Sequence, residues 1–359
     1  QGPLVEKFEN KLKTLFGAKY CNALCNGTAA LHLAGIALNW QRDDIILTSP
    51  ITFLASANAI LYSGAKPDFV DIDLKTYTID PNLLENKIKQ YQLKNKKIKA
   101  VIGVDYAGLP CDWDSLRFLA NKYDFQLVND NCHAMGASYN GDKYYAVNYA
   151  DVVTQSYHPV KQITTGEGGS VLTNSAQIDS RIRNLKTHGM TKDPEKLDKI
   201  DGPWYYEMHN LGYNYRITDF QCALGFSQLK KLNSFVKKRN KIAQIYNDAF
   251  KDISNITTPF ISANVYHAFH LYCLKINFKK IKLNKINFHK RMSEQGIVLQ
   301  VHYIPVHLQP FYKKNFGFKV GDFPNSELFY DMEFSLPIYP LLSKGDQDYI
   351  IEKIKLNLE

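Results

Sequence analysis

An α/β architecture, with a mainly parallel central sheet flanked by helices and a smaller α+β unit at the C-terminal end, is the fold class this sequence predicts. Two observations carry it. From Pro3 to about Asn240, short apolar runs alternate with helical patterns, and short buried strands separated by helices are what a parallel sheet covered on both faces looks like. Near Asn240 that rhythm gives way to a long helix and then to shorter mixed elements. The boundary is expected near residue 235, with a large domain over residues 1–235 and a small one over 236–359. A chain of 359 residues, 45% of them hydrophobic, can build both.

Taken in order, the expected strands of the large domain are residues 45–47, 67–71, 100–104, 126–129, 151–154 and 169–172. Most are short runs rich in Val, Ile and Leu, and 67–71 carries Phe69 and Val70, between helical or turn-forming stretches. Ligands of such sheets bind beyond the C-terminal strand ends, and Asp105, Asp130 and Ser156 all fall at or just after one. Residues 189–211 carry proline, glycine, charge and the aromatic run Trp204-Tyr205-Tyr206 without a clear period; a loop of that length is usually functional or mobile. The small domain is expected to use the apolar runs 270–276 and 297–301, a helix at 285–295 and a closing helix at 346–358.

Composition excludes several classes. Lysine plus arginine exceeds aspartate plus glutamate by nine (44 against 35). The basic residues lie in scattered short runs such as Lys230-Lys231 and Lys237-Lys238-Arg239, which read as solvated faces; none forms a nucleic-acid module. Six cysteines are too sparse for a disulfide scaffold and do not complete a metal-binding pattern, so no metal is expected. No run approaches the roughly 18–20 apolar residues of a membrane span, and no cationic-then-apolar leader opens the chain. A cytoplasmic location follows as the expectation.

The chemistry is concentrated in four segments. In Ser156-Tyr157-His158-Pro159-Val160-Lys161, followed by Gln162-Ile163-Thr164-Thr165-Gly166-Glu167-Gly168-Gly169, one lysine lies between an apolar run and a glycine-rich turn. A lysine attacks a carbonyl only when deprotonated, which needs desolvation or a nearby cation and a fixed loop to aim it. Lys161 is the candidate nucleophile. Upstream, residues 125–130 form an apolar strand ending in Asp130, with His133 three residues on. Pyridoxal phosphate (PLP) asks for this pairing: a carboxylate at the pyridine nitrogen keeps the ring protonated and electron-accepting. Asp130 suits that role, and His133 the ring's phenolic oxygen. The third segment, Cys25-Asn26-Gly27-Thr28-Ala29-Ala30, opens a helix whose free N–H groups suit a phosphate, although an ordinary N-cap explains it equally. In the fourth, residues 48–58, Phe53 offers an aromatic face or a core side chain.

With these four segments in place, the chain resembles the PLP-dependent aminotransferases of nucleotide-linked ketosugars, the DegT/StrS family, which have the fold-type I architecture. The resemblance runs from Gln1 to the segment ending at Pro310. Residues 104–108, 157–169, 187–190, 201–207 and 211–219 are most similar to the branch of pseudaminic acid biosynthesis. It implies transfer of an amino group from L-glutamate to the C4 ketone of UDP-2-acetamido-2,6-dideoxy-β-L-arabino-hexos-4-ulose. It also implies that Thr28, Ala29 and Ser156 hold the cofactor phosphate, that Phe53 stacks on the ring, and that Asn214, with Arg216 as the alternative, reaches the phosphate of a neighbouring subunit. A homodimer with a shared active site follows. His158, Tyr106, His188, Arg216, His302 and Tyr303 are the candidate sugar contacts, and Glu167 a candidate buried loop anchor. The family often has glutamine where this chain has His133. It normally extends further before Gln1-Gly2-Pro3, so a truncated form is expected. Other readings are a 3-keto or epimeric (D-xylo or perosamine-type) sugar as acceptor, a PLP-dependent sugar dehydratase, which would carry histidine in place of Lys161, and a non-catalytic PLP-binding regulator, which would need a DNA-binding segment.

Overall fold

Runs of β-branched and apolar residues line up as a seven-stranded sheet in the computed structural model, which describes residues 2–358; Gln1 and Glu359, the outermost residues of the expected domains, lie outside the described residues. The strands are β1 (Tyr20–Leu24), β2 (Ile45–Thr48), β3 (Lys66–Phe69), β4 (Ile98–Val104), β5 (Gln126–Asp130), the two-residue β6 (Ser138–Tyr139), β7 (Val152–Ser156) and β8 (Gly169–Thr173). All but β6 join the sheet, in the order β1-β8-β7-β5-β4-β2-β3. β3, β2, β4, β5 and β7 are parallel; β8 runs antiparallel to both β7 and β1.

Side chains of a strand alternate between its faces, and both faces here are apolar. Leu47, Val101, Leu127, Val153 and Leu172 enter one core, while Ile46, Ala100, Ile102, Val128, Val152 and Val171 enter another. That is why these strands read as unbroken apolar runs rather than as alternating ones. Each of the Val, Leu and Ile side chains among them stabilises the fold by about 1.5–3 kcal/mol when fully buried. The six expected strands all lie in this sheet, whereas β1 was not expected. Its sequence, with Asn22 in the middle, shows no apolar run; pairing with β8, from Tyr20↔Thr173 to Leu24↔Gly169, makes it a strand.

Residues 189–211 contain the short antiparallel pair β9 (Met190–Thr191) and β10 (Glu207–Met208). Beyond them, helix Leu232–Phe250 buries Leu232, Val236, Ile242, Ala243, Tyr246 and Phe250 at helical spacing. Leu232 and Val236 enter the core of the large sheet, and the residues from Ile242 onward enter a separate core. That second core covers a three-stranded sheet. Its chain-order elements are β11 (Ile256–Thr257), the short β12 (Val265–Tyr266), which pairs with β6 instead, β13 (Tyr272–Ile276) and β14 (Glu333–Leu336), ordered β11-β13-β14. Helices Lys285–Glu294 and Lys344–Leu356 match expectation within a residue or two. The run 297–301 does not form a strand; it contributes a single bridge, Gln300↔Ser335, to the edge of β14.

Candidate active site

Three strand ends meet at one edge of the large sheet. Val104, last of β4, is the register partner of Asp130, last of β5, and the next strand, β7, ends at Ser156. The buried carboxylate of Asp130 accepts the Ser56 hydroxyl at 2.6 Å and the Cys132 N–H at 3.2 Å, which aims it and leaves lone pairs for a third donor. Asp105 is different in kind. It accepts from Cys111 N–H, Trp113 Nε1, Asn131 Nδ2 and the Tyr145 hydroxyl at 2.7 to 2.9 Å. Burial pushes it up to about 6, and its capacity is spent on holding loops.

Between β7 and β8 the chain makes a closed loop, residues 157–168. Tyr157 N–H donates to the Gly168 carbonyl at 2.8 Å, Thr165 N–H to the Tyr157 carbonyl at 3.0 Å, and Lys161 N–H to the His158 carbonyl at 2.9 Å. Tyr157 is fully buried with its hydroxyl 2.5 Å from Ser170 Oγ, and the Gln162 amide donates to the His133 carbonyl. Lys161 is therefore presented from a loop pinned on both sides. Burial lowers the pKa of its ammonium group; Cys132 and Asp130 oppose that shift. Its Nζ makes no hydrogen bond or ion pair among the described residues. Such an amine is available as nucleophile and base.

His133 faces this loop. Ala107 N–H donates to its Nδ1 at 3.3 Å, which puts the hydrogen of the neutral ring on Nε2, 3.3 Å from the Tyr303 hydroxyl. Burial foremost, then Lys161 and His302, hold its pKa well below the usual range, so it acts as a neutral donor. The hydrogen of Tyr303 stays free. Phe53, 55% exposed and 5.9 Å from the Tyr303 ring, forms a rim and not a core. His302 is half-buried; burial, then Lys161, lowers it to about 4. Tyr106 is placed otherwise than a sugar contact would be. It is 1% exposed and donates its hydroxyl to the His302 carbonyl, so it supports the loop from below. His270, which sequence reasoning missed, packs 4.4 Å from the His133 ring.

Where β1 ends, helix Gly27–Ala37 begins. Asn26 caps it, accepting the Ala29 N–H at 2.8 Å. The Ala29 donor expected to hold a phosphate is thus committed to the cap, and the N–H groups of Gly27 and Thr28 remain, with the helix dipole behind them. A Cβ at Gly27 would lie 2.9 Å from Ser156 Cβ, and one at Gly169 would lie 2.4 Å from the Asn26 carbonyl oxygen. Glycine at both positions lets the helix start and Ser156 share one cradle.

The other candidates lie apart from Lys161 or at its rim. His158 and Glu167 are exposed and 3.9 Å apart, so Glu167 is not the buried anchor expected of it. Thr187 bridges to Asn214 and Leu24 to Arg216, and Cys25 N–H donates to the Tyr215 carbonyl at 2.9 Å. These pairings run residues 213–216 alongside the start of helix Gly27–Ala37. Asn214 and His188 are both exposed there, which groups His188 with Asn214 instead of with the Lys161 cluster. Arg216 is half-buried, with no side-chain partner among the described residues.

Comparison with known proteins agrees with this geometry. The profile of the DegT/DnrJ/EryC1/StrS aminotransferase family matches residues 1–355. Uncharacterized protein MJ1066 of Methanocaldococcus jannaschii is 42% identical, over 99% of this chain and 90% of its own. The UDP-4-amino-4,6-dideoxy-N-acetyl-β-L-altrosamine transaminase of Campylobacter jejuni serotype O:23/36 is 36% identical, over 99% of this chain and 91% of its own. Helicobacter pylori PseC, an aminotransferase involved in the biosynthesis of pseudoaminic acid, superposes with a TM-score of 0.89 at 30% identity, covering 100% of this chain and 92% of its own. Spr1654 of Streptococcus pneumoniae, named as a sugar aminotransferase and solved in a PLP-form, superposes at 0.88 and 29% identity, covering 99% of this chain and 91% of its own. The residues present fit PLP: an unpartnered amine at Lys161, a buried carboxylate with spare lone pairs at Asp130, and free N–H groups beside the Ser156 hydroxyl.

Proposed function

This chain belongs to the DegT/DnrJ/EryC1/StrS aminotransferase family, and we propose that it moves an amino group from L-glutamate to the C4 ketone of UDP-2-acetamido-2,6-dideoxy-β-L-arabino-hexos-4-ulose. The enzyme is a PLP-dependent sugar aminotransferase. The observation that carries the substrate reading is the 36% identity to the altrosamine transaminase along 99% of this chain.

Bound PLP supplies a carbon that takes up and releases the amino group and a protonated ring that withdraws electrons from it. The chain supplies the rest. Asp130, aimed by Ser56, holds the proton on the ring nitrogen, and the N–H groups of Gly27 and Thr28 with the Ser156 hydroxyl hold the phosphate. His133 Nε2–H, 3.3 Å from the Tyr303 hydroxyl, would turn from that partner to donate to the phenolic oxygen, and Phe53 covers a ring face. Lys161 Nζ, whose pKa desolvation lowers so that the free amine is favoured, takes the proton from the donor Cα; in the acceptor half-reaction it delivers a proton to the sugar C4. One site serves both substrates in turn, so ping-pong kinetics follow.

The reading extends to assembly. Trp204, Leu211 and Phe220 are 73%, 79% and 83% exposed on the segment that carries Asn214. A second copy that covers them brings Asn214, or Arg216, to the phosphate of its partner, so the working unit is a homodimer. The domain boundary is placed near residue 235, where helix Leu232–Phe250 passes from one core to the other. A cytoplasmic location accords with six free thiols and with the absence, among the described residues, of a helix long and apolar enough to cross a membrane.

The deciding experiment is product analysis by NMR after incubation with glutamate and either the L-arabino ketosugar or its D-xylo epimer. An inverted ring leaves buried polar groups unpaired at about 1–3 kcal/mol each, so two mismatches give a preference of tens-fold or more for L-arabino. A preference for D-xylo would overturn the substrate and leave the aminotransferase standing.

A further inference from the structure

Behind His302 lies a chain of hydrogen bonds that packing alone does not require. Glu333 and Ser335 sit two residues apart on β14, hence on one face of it. Glu333 is fully buried. Its Oε2 accepts the backbone N–H of His302 at 3.0 Å and its Oε1 accepts the Ser335 hydroxyl at 2.5 Å. Ser335 Oγ in turn lies 2.8 Å from His302 Nδ1. The Gln300↔Ser335 bridge and the Tyr106 hydroxyl on the His302 carbonyl fix the same stretch.

Counting hydrogens settles the direction of this chain. While Glu333 is ionised it only accepts, so the single Ser335 hydrogen goes to Glu333, and His302 Nδ1 must carry the hydrogen that bonds Ser335. The ring is neutral at ordinary pH. Its Nε2 is therefore bare, and it has no partner among the described residues. His133, on the other side of Tyr303, has the opposite polarity, with Nδ1 accepting from Ala107 and Nε2–H donating. His302 thus offers the site an acceptor, whereas the His133 donor faces the Tyr303 hydroxyl.

Resting on the ketosugar reading above, we propose that His302 is a specificity-determining residue that accepts a hydroxyl or amide N–H of the sugar at Nε2, and that Glu333, acting through Ser335, is the positioning residue that sets this polarity. Glu333→Gln inverts the chain at constant shape. The amide oxygen must serve the obligate donor His302 N–H, so the NH2 group donates to Ser335, Ser335 donates to Nδ1, and Nε2 gains the hydrogen. Protonating Glu333 does the same. Burial raises Glu333 to about 7, opposed by Ser335, His302 N–H, Lys285 of helix Lys285–Glu294 and Cys273 of β13. The other ionisable groups whose charge it feels are Tyr77, Tyr106 and Tyr303.

The test uses the holoenzyme and two readouts. In selectively 15N-histidine-labelled protein without substrate, held well above neutral pH so that Glu333 is ionised, the His302 resonances, identified by their loss in His302→Asn, should show an unprotonated Nε2 in the wild type and an unprotonated Nδ1 in Glu333→Gln. In kinetics, Glu333→Gln should raise the KM for the sugar by about tenfold or more, on the scale of an unmet buried hydrogen bond, and by at least tenfold more than it changes the KM for glutamate. The wild-type sugar KM should rise as pH falls through neutrality, and the variant should lack that limb. The same tautomer in both proteins, or equal effects on both substrates, would overturn the proposal. If the tautomers differ as stated but no UDP-ketosugar reacts with the wild type, the substrate reading fails instead.

Discussion

Around Lys161 the chain supplies the partners itself, whereas along residues 200–220 it leaves its largest apolar side chains in solvent. Tyr157, Gln162 and the loop carbonyls pin the lysine, and Ser56 aims Asp130. By contrast Trp204, Leu211 and Phe220 are mostly exposed, next to an exposed Asn214 whose side chain has no hydrogen-bond partner among the described residues. The difference separates two kinds of preorganisation. Proton transfer is prepared within one fold, because desolvation and hydrogen bonds from neighbouring strands set the amine and the carboxylate. In the proposed homodimer, completion of the phosphate site would be left to association, since a second copy would remove those side chains from water.

Substitutions on the first side should therefore act on chemistry. Lys161→Ala removes both base and nucleophile and should lower transamination by about four orders of magnitude, the upper end for a positioned general base, measured as single-turnover loss of amino donor. Asp130→Asn should keep cofactor bound and lower turnover by about two to three orders of magnitude, the scale of removing one electrostatic partner at a reacting centre. Near-normal turnover there would break the contrast at its stronger end.

Substitutions on the second side should act on assembly. Mixing Lys161→Ala chains with Asn214→Ala chains should restore activity, since one of the two sites in a mixed dimer then receives both intact residues. No recovery despite verified subunit exchange would place the whole site in one chain. Trp204→Ser should have the smallest effect on the single chain, within about 0.5 kcal/mol of stability as for other exposed positions, while shifting the dimer toward monomer in sedimentation. A monomeric wild type would remove the comparison altogether.

How much of this was legible in the sequence follows the range of the interactions. Most of the six sheet runs declared themselves because strands buried on both faces are largely apolar; the edge strand β3, with Lys66 exposed, is the exception. Lys161, Asp130 and His133 were legible because each sits beside a strand end or glycine turn within its own short segment. Ser56 was not, because nothing local marks a serine that reaches an aspartate 74 residues away. Glu333 and Ser335 act on a loop some thirty residues upstream, at separations of 31 and 33. β1 and β14 were missed for the same reason: each becomes a strand through its partner. Tyr106 and Glu167 were misplaced because burial, opposite in the two cases, is a property of the assembled fold.

The most direct test of the central claim, that this fold delivers the desolvated Lys161 amine to PLP, is borohydride reduction of the holoenzyme followed by peptide mapping. The expected result is a yellow protein whose cofactor becomes fixed to the single peptide carrying Lys161, with no label after prior treatment with excess glutamate. Label on a different lysine, or a cofactor that washes out after reduction, would contradict it.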